Sequence, residues 1–253
     1  MSSSARIALP VEADAAAAEA APAPAAAQRQ VWDLPVRLTH WLLVLAVIGS
    51  YVTYKLGLVY FKYHVWCGYT VLVLAAFRIL WGLFGTRHAR FAGFVRGPAV
   101  TLRHAADLLR GRTRRYPGHN PLGAWMVLAL LGGLLVQALT GLFSNDEIAS
   151  TGPLYGAIGN ALSLKLTSVH RLLFDGIAVA IALHVAAVLA YRLLKKEDLI
   201  RAMLTGRKPA EAVAAGDAIH SSRLWLAALL IGLIVGVLAY VVLHAPAASA
   251  SFD

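Results

Sequence analysis

Cysteine is almost absent from this chain: Cys67 is the only one in 253 residues. No intrachain disulfide and no cysteine-based metal cluster can form, and the paired-cysteine CxxCH motif that attaches a c-type haem is excluded. Charge is scarce as well. Charged residues make up 14% of the chain and hydrophobic residues 59%, whereas a soluble globular domain carries about 25% charge. Missing too is a continuous apolar stretch near the N-terminus. Arg6 is followed by Ala, Glu, Asp and Pro, so no signal peptide is expected. The Ala- and Pro-rich residues 1–30 read as a disordered tail.

What charge there is has one dominant sign. The chain holds 23 Lys and Arg against 13 Asp and Glu, a net charge of +10. A basic chain can indicate nucleic acid, but here the positive residues lie between long apolar runs, as they do in the cytoplasmic loops of membrane proteins. Nucleic acid is therefore set aside and membrane lipid is the expected surroundings. Five segments are long and apolar enough to cross roughly 30 Å of hydrocarbon at about 1.5 Å per residue. They run from about Leu34 to Tyr54, His64 to Phe84, Leu122 to Phe143, Thr167 to Leu194 and Leu224 to Leu243. No porin-like alternation is present, so an all-α membrane bundle is expected.

The connections predict the orientation. The stretch from Gly85 to Pro121 carries Arg87, Arg90, Arg96, Arg103, Arg110, Arg112, Arg114 and Arg115, and that from Arg192 to Arg223 carries Arg192, Lys195, Lys196, Arg201, Arg207, Lys208 and Arg223. The other two connections hold Lys55 and Lys62, and Lys165 with Asp146 and Glu147. Positive loops stay inside, so the N-terminus is expected in the cytoplasm and the C-terminus outside. In the first basic loop, Val100, Leu102, Ala105, Ala106, Leu108 and Leu109 recur at near-helical spacing, which suits a short interfacial helix or a solvated loop.

Position sorts the nine histidines. His88, His104, His119, His220 and His244 fall at or beyond the expected interfaces and read as polar residues in water. His40, His64, His170 and His184 fall inside spans, where an ionisable ring is costly and indicates function. His170 and His184 are fourteen residues apart. Fourteen steps of about 100° end about 40° short of four full turns, so both rings leave one face of a helix, about 21 Å apart along it. That separation suits two stacked cofactors rather than one ion. The expected orientation pairs His64 with His170 on the external side and His40 with His184 on the cytoplasmic side, though the second pair matches loosely in depth unless the fourth helix runs past the membrane. Each pair offers two imidazoles from two helices, the axial set of an electron-carrying haem. Zinc prefers three or four ligands close together. Gly49, Gly68, Gly132, Gly133 and Gly141 would admit a porphyrin, or simply pack helices. A transporter relaying protons through these histidines is disfavoured, because Asp175 is the one acidic candidate within the spans.

The stretches VWDLPVRLTHWLLV, FRILWGLFGTRHARFAGFVRGP, GHNPLGAWMVLALL and LVQALTGLF, with the SVHRLLF…ALH spacing around His170 and His184, resemble the bacterial cytochrome b561 family, which includes the membrane cytochrome b subunit of nickel–iron hydrogenases. The likeness covers roughly Val31 to Lys208. It implies a four-helix core with two b-type haems on His40, His64, His170 and His184, passing electrons between a quinone pool and a redox partner protein in the bacterial inner membrane.

The chain then divides into a tail (1–30), a di-haem domain (31–208) and a fifth transmembrane helix with a short external tail (209–253). The fifth span carries the GxxxG spacing of Gly232 and Gly236, which suits packing on the bundle or on a partner. The expected function is electron transfer, as a quinone-linked oxidoreductase subunit; the alternative is a membrane anchor or assembly subunit with structural haems. Gln137, Thr140 and Asn145 are polar candidates for a quinone contact. Arg78, fourteen residues after His64, falls about 21 Å further inward near the His64 face. It is expected to hold a propionate of the cytoplasmic-side haem, with Arg37 sharing the task.

Overall fold

The computed structural model describes residues 27–112 and 116–246. The expected disordered tail therefore lies mostly outside the described residues. Its last part is ordered: Gln28–Gln30 form strand β1. The helices follow as α1 (Leu34–Lys55), α2 (Phe61–Phe84), the short α3 (Phe91–Phe94), α4 (Pro98–Leu109), α5 (Pro121–Leu142), α6 (Asn160–Leu194) and α7 (Leu199–Thr205). Strand β2 (Arg207–Pro209) and α8 (Leu224–Leu243) complete the order. β1 and β2 pair antiparallel, with Arg29 opposite Lys208.

Helices α1, α2, α5, α6 and α8 are each long and apolar enough to cross a membrane. α2 is the hub: half of its apolar stretch is buried, against 6% for α6 and α8. α1, α5 and α8 all pack on α2, and α6 packs along α5. The outward faces keep large apolar side chains such as Leu172, Val179 and Leu229 exposed, a surface suited to hydrocarbon rather than water.

The starts of α1, α5 and α8 and the ends of α2 and α6 gather at one end of the bundle together with the two arginine-rich connections; this is the basic end. Its central tie is Asp33, fully buried. Asp33 caps α1 by accepting from the Val36 amide at 2.7 Å, with Pro35 in the first turn, where its missing N–H costs nothing. Its other oxygen accepts from the Trp81 indole and the Thr86 hydroxyl, which joins the start of α1 to the end of α2. Gly85 turns the chain there, and a Cβ would lie 2.4 Å from the Trp81 carbonyl oxygen. Asn120 caps α5 through the Gly123 amide and donates to the Tyr191 hydroxyl of α6 at 2.8 Å. Lys208 is buried between Glu197 and the Tyr116 carbonyl, 3.0 Å from each.

One expectation changes, at the start of α6, and one alternative resolves, in the first basic loop. α6 has 35 residues and begins at Asn160, seven residues before the expected start. Hydropathy marks only the apolar part of a helix, and the added turns are held by polar contacts. Ser163 donates to the Phe143 carbonyl, Thr167 to that of Asn145, and the Asn145 side chain to Asn160. In the first basic loop α4 is a helix; it buries Thr101 and His104 and leaves Val100, Leu102 and Leu109 exposed.

Candidate functional site

The four span histidines come together in two pairs. The His64 and His170 ring centres are 6.3 Å apart and the His40 and His184 centres 6.5 Å. Two imidazoles sharing one metal, each nitrogen about 2 Å from it, have ring centres about 6.4 Å apart. Both pairs therefore have the spacing of a bis-imidazole site, and all four rings are half-buried. α6 supplies one ring to each pair while packing on α5, not closely on α1 or α2. Helices that stand off yet nearly join through their imidazoles form the cradle a flat cofactor needs. Among the described residues no group of three or more His, Cys, Asp or Glu is placed to hold a metal ion, so each pair offers two imidazoles and not the three or four ligands a zinc site prefers.

At the end away from the basic loops, backbone carbonyls settle which nitrogen is free. His64 Nδ1 lies 2.9 Å from the Ser50 carbonyl, with the Ser50 hydroxyl at 3.1 Å. His170 Nδ1 lies 2.9 Å from the Gln137 carbonyl. A carbonyl oxygen only accepts, so each Nδ1 carries the proton and each Nε2 keeps a lone pair for a metal. Gly141 makes room for this ring, since a Cβ there would come 2.9 Å from His170 Cε1. The Tyr51 and Phe174 rings stack at 5.6 Å between α1 and α6. At the basic end, His40 Nδ1 is buried without a partner, and Trp41 meets the His40 ring edge-on at 5.0 Å.

The remaining glycines and polar candidates divide. Gly49 and Gly133 serve helix packing, against Cys67 and Ile177, whereas a Cβ at Gly68 or Gly132 would meet nothing within 4 Å. Thr140 donates to the Val136 carbonyl and Asn145 is taken up by α6; Gln137 Oε1 is buried without a partner. Arg78 is buried, not reaching toward the surface, and donates to the Ala89 carbonyl at 3.2 Å. Arg37 donates to the Leu204 carbonyl, while its Nε is buried without a partner.

Reading all five loop histidines as water-exposed was wrong for two of them. His104 is buried on α4. His119 lies 4.7 Å from both the Trp32 and the Phe94 rings, with Nδ1 buried and unpartnered. Burial, then the cations Arg78 and Lys208 and the imidazoles of His184 and His40, push its pKa down to about 3. Its place in a polar loop concealed this. The one local signal was the capped Pro start directly after it, which anchors the segment against the bundle.

Five helices long and apolar enough to cross a membrane, with two pairs of facing imidazoles between them, suit a multi-pass membrane protein that carries a metal cofactor. The family model for prokaryotic cytochrome b561 matches residues 31–206. The chain belongs to that family and is a membrane b-type cytochrome that transfers electrons. Two relatives carry the name "Probable Ni/Fe-hydrogenase B-type cytochrome subunit". The one from Cupriavidus necator is 24% identical over 208 residues, 70% of this chain and 85% of the relative. The one from Rhodobacter capsulatus is 23% identical over 212 residues, 70% of this chain and 80% of the relative. No solved structure matches the chain.

Proposed function

We propose that the chain conducts electrons across the bacterial inner membrane through two bis-histidine b-type haems held in a four-helix core of α1, α2, α5 and α6. His64 and His170 hold one haem near the external face; His40 and His184 hold the other near the cytoplasmic face. The observation that carries this reading is the repeat of one spacing, 6.3 and 6.5 Å between ring centres, at two levels of one helix. Bound between such a pair, a haem iron supplies a one-electron couple with no open coordination position. The Ser50 and Gln137 carbonyls hold the His64 and His170 rings in one tautomer and orientation, and α6 sets the two sites about 21 Å apart. The core corresponds to residues 31–208. Residues 209–253 add α8, which packs on α2 and α1 and offers no histidine within the span.

The exchange partners are a quinone pool and a redox enzyme. The names of the relatives suit a hydrogenase-like enzyme as the source of electrons. The direct test is a pyridine haemochrome assay on homogeneous protein, joined to reduction by a quinol. Two b haems per chain, both quinol-reducible, are expected. Clearly fewer than two, with cofactor loss excluded, would overturn the reading.

The basic end is the cytoplasmic end by the distribution of Arg and Lys. A reporter fused near Gly118 is expected to read cytoplasmic and one at the C-terminus periplasmic. The reverse pattern would invert the sidedness of both haems.

A further inference from the structure

Buried polar atoms left without a partner are few in a folded protein, and each asks for an explanation. Among the described residues there are six, and five of them, Arg37 Nε, His40 Nδ1, Trp41 Nε1, His104 Nε2 and His119 Nδ1, belong to the basic end. Arg37, His40 and Trp41 lie within the first two turns of α1. His119 closes the same region from the segment before α5. A continuous wall of rings joins it to Arg78. The Arg78 guanidinium is 5.6 Å from the Phe91 ring centre, Phe91 is 5.8 Å from Phe94, and Phe94 is 4.7 Å from His119.

Arg37 Nε, Trp41 Nε1 and the Arg78 guanidinium only donate, and a neutral His119 can carry its proton on Nδ1, while the protein carboxylates nearby are already engaged. Asp33 accepts from Val36, Trp81 and Thr86, and Glu197 pairs with Lys208. Arg78 makes one hydrogen bond, to Ala89, of the five its guanidinium can donate. A buried set of this kind is satisfied by an anion with several acceptor oxygens, and a carboxylate suits both a planar guanidinium and an imidazole N–H.

We propose that His119 and Arg78 form a carboxylate seat for a propionate of the haem held by His40 and His184, with Arg37 Nε and Trp41 Nε1 lining the approach. The proposal rests on the two-haem reading above and adds His119, which that reading does not use. Donors on the propionate draw its negative charge away from the iron, which favours the reduced, less positive state.

The test uses full-length protein reconstituted with haem labelled with ¹³C at the propionate carboxylates, read by redox-difference infrared spectroscopy and by potentiometric titration. His119→Phe keeps the packing between Trp32 and Phe94 but removes the donor; His119→Gln restores one and serves if the Phe variant folds poorly. In protein carrying both haems, His119→Phe is expected to move a label-sensitive carboxylate band and lower the midpoint potential of the His40–His184 haem, leaving the other haem unchanged. His119→Gln is expected to fall between wild type and His119→Phe. Labelled bands and potentials at wild-type values in both variants would overturn the seat alone. Bands that shift with His119 but carry no label would also overturn it, because the anion would then be something other than the haem. Wild-type protein that binds no haem overturns the two-haem reading and the seat together.

Discussion

Replacing His64 or His170 by Ala is expected to remove the same haem and leave the other, so that haem content falls from two per chain to one in either variant. Replacing His40 or His184 is expected to remove the complementary haem. The effect is all-or-none for each site, because an iron deprived of one of two protein ligands loses both its axial bond and the clamp between two helices. The pairing follows from the ring separations, 6.3 Å for His64 with His170 and 6.5 Å for His40 with His184. Low-temperature absorption spectra of the four variants, normalised to protein, separate the two components. If His40→Ala and His170→Ala produced the same spectral loss, the proposed pairing would fail.

The second large effect is expected at Asp33, which touches neither ring pair. Removing its carboxylate strands the Val36 amide at the start of α1 together with the buried Trp81 indole and Thr86 hydroxyl. A lost cap costs about 1 kcal/mol and each stranded buried donor about 1–3 kcal/mol, so Asp33→Ala is expected to lose roughly 3 kcal/mol or more. At about 2–4 °C per kcal/mol for a chain of this size, Tm falls by roughly 6–12 °C. Asp33→Asn keeps one acceptor oxygen and should lose less. Because Asp33 sets where α1 starts, the His40–His184 haem is expected to dissociate first on heating. A thermal scan of detergent-solubilised Asp33→Ala that superimposed on wild type would remove Asp33 from the role of central tie.

Hydropathy located α8 to the residue and placed the ends of α1, α2 and α5 within three residues, because an apolar helix interior is written locally. It failed at the start of α6, where the helix continues for seven residues on Ser163, Thr167 and Asn160 contacts that no local average detects. The added residues lie at the His170 end of α6, so they do not bear on the loose depth match of His40 and His184; those two ring centres nonetheless stand 6.5 Å apart.

By itself the sequence determined that this chain has five segments long and apolar enough to cross a membrane and which four histidines fall within them. Both properties depend on local composition and on helical period, which any stretch of chain carries alone. Only the tertiary structure decided that the rings stand 6.3 and 6.5 Å apart, that Ser50 and Gln137 carbonyls hold the protons of His64 and His170, and that Asp33 locks α1 to α2. It also decided that His119, in a polar loop, is enclosed by Trp32 and Phe94. The physical reason is common to all four. Each depends on a distance between segments far apart in the chain, and such distances are set by how helices pack and loops fold back, not by the residues on either side.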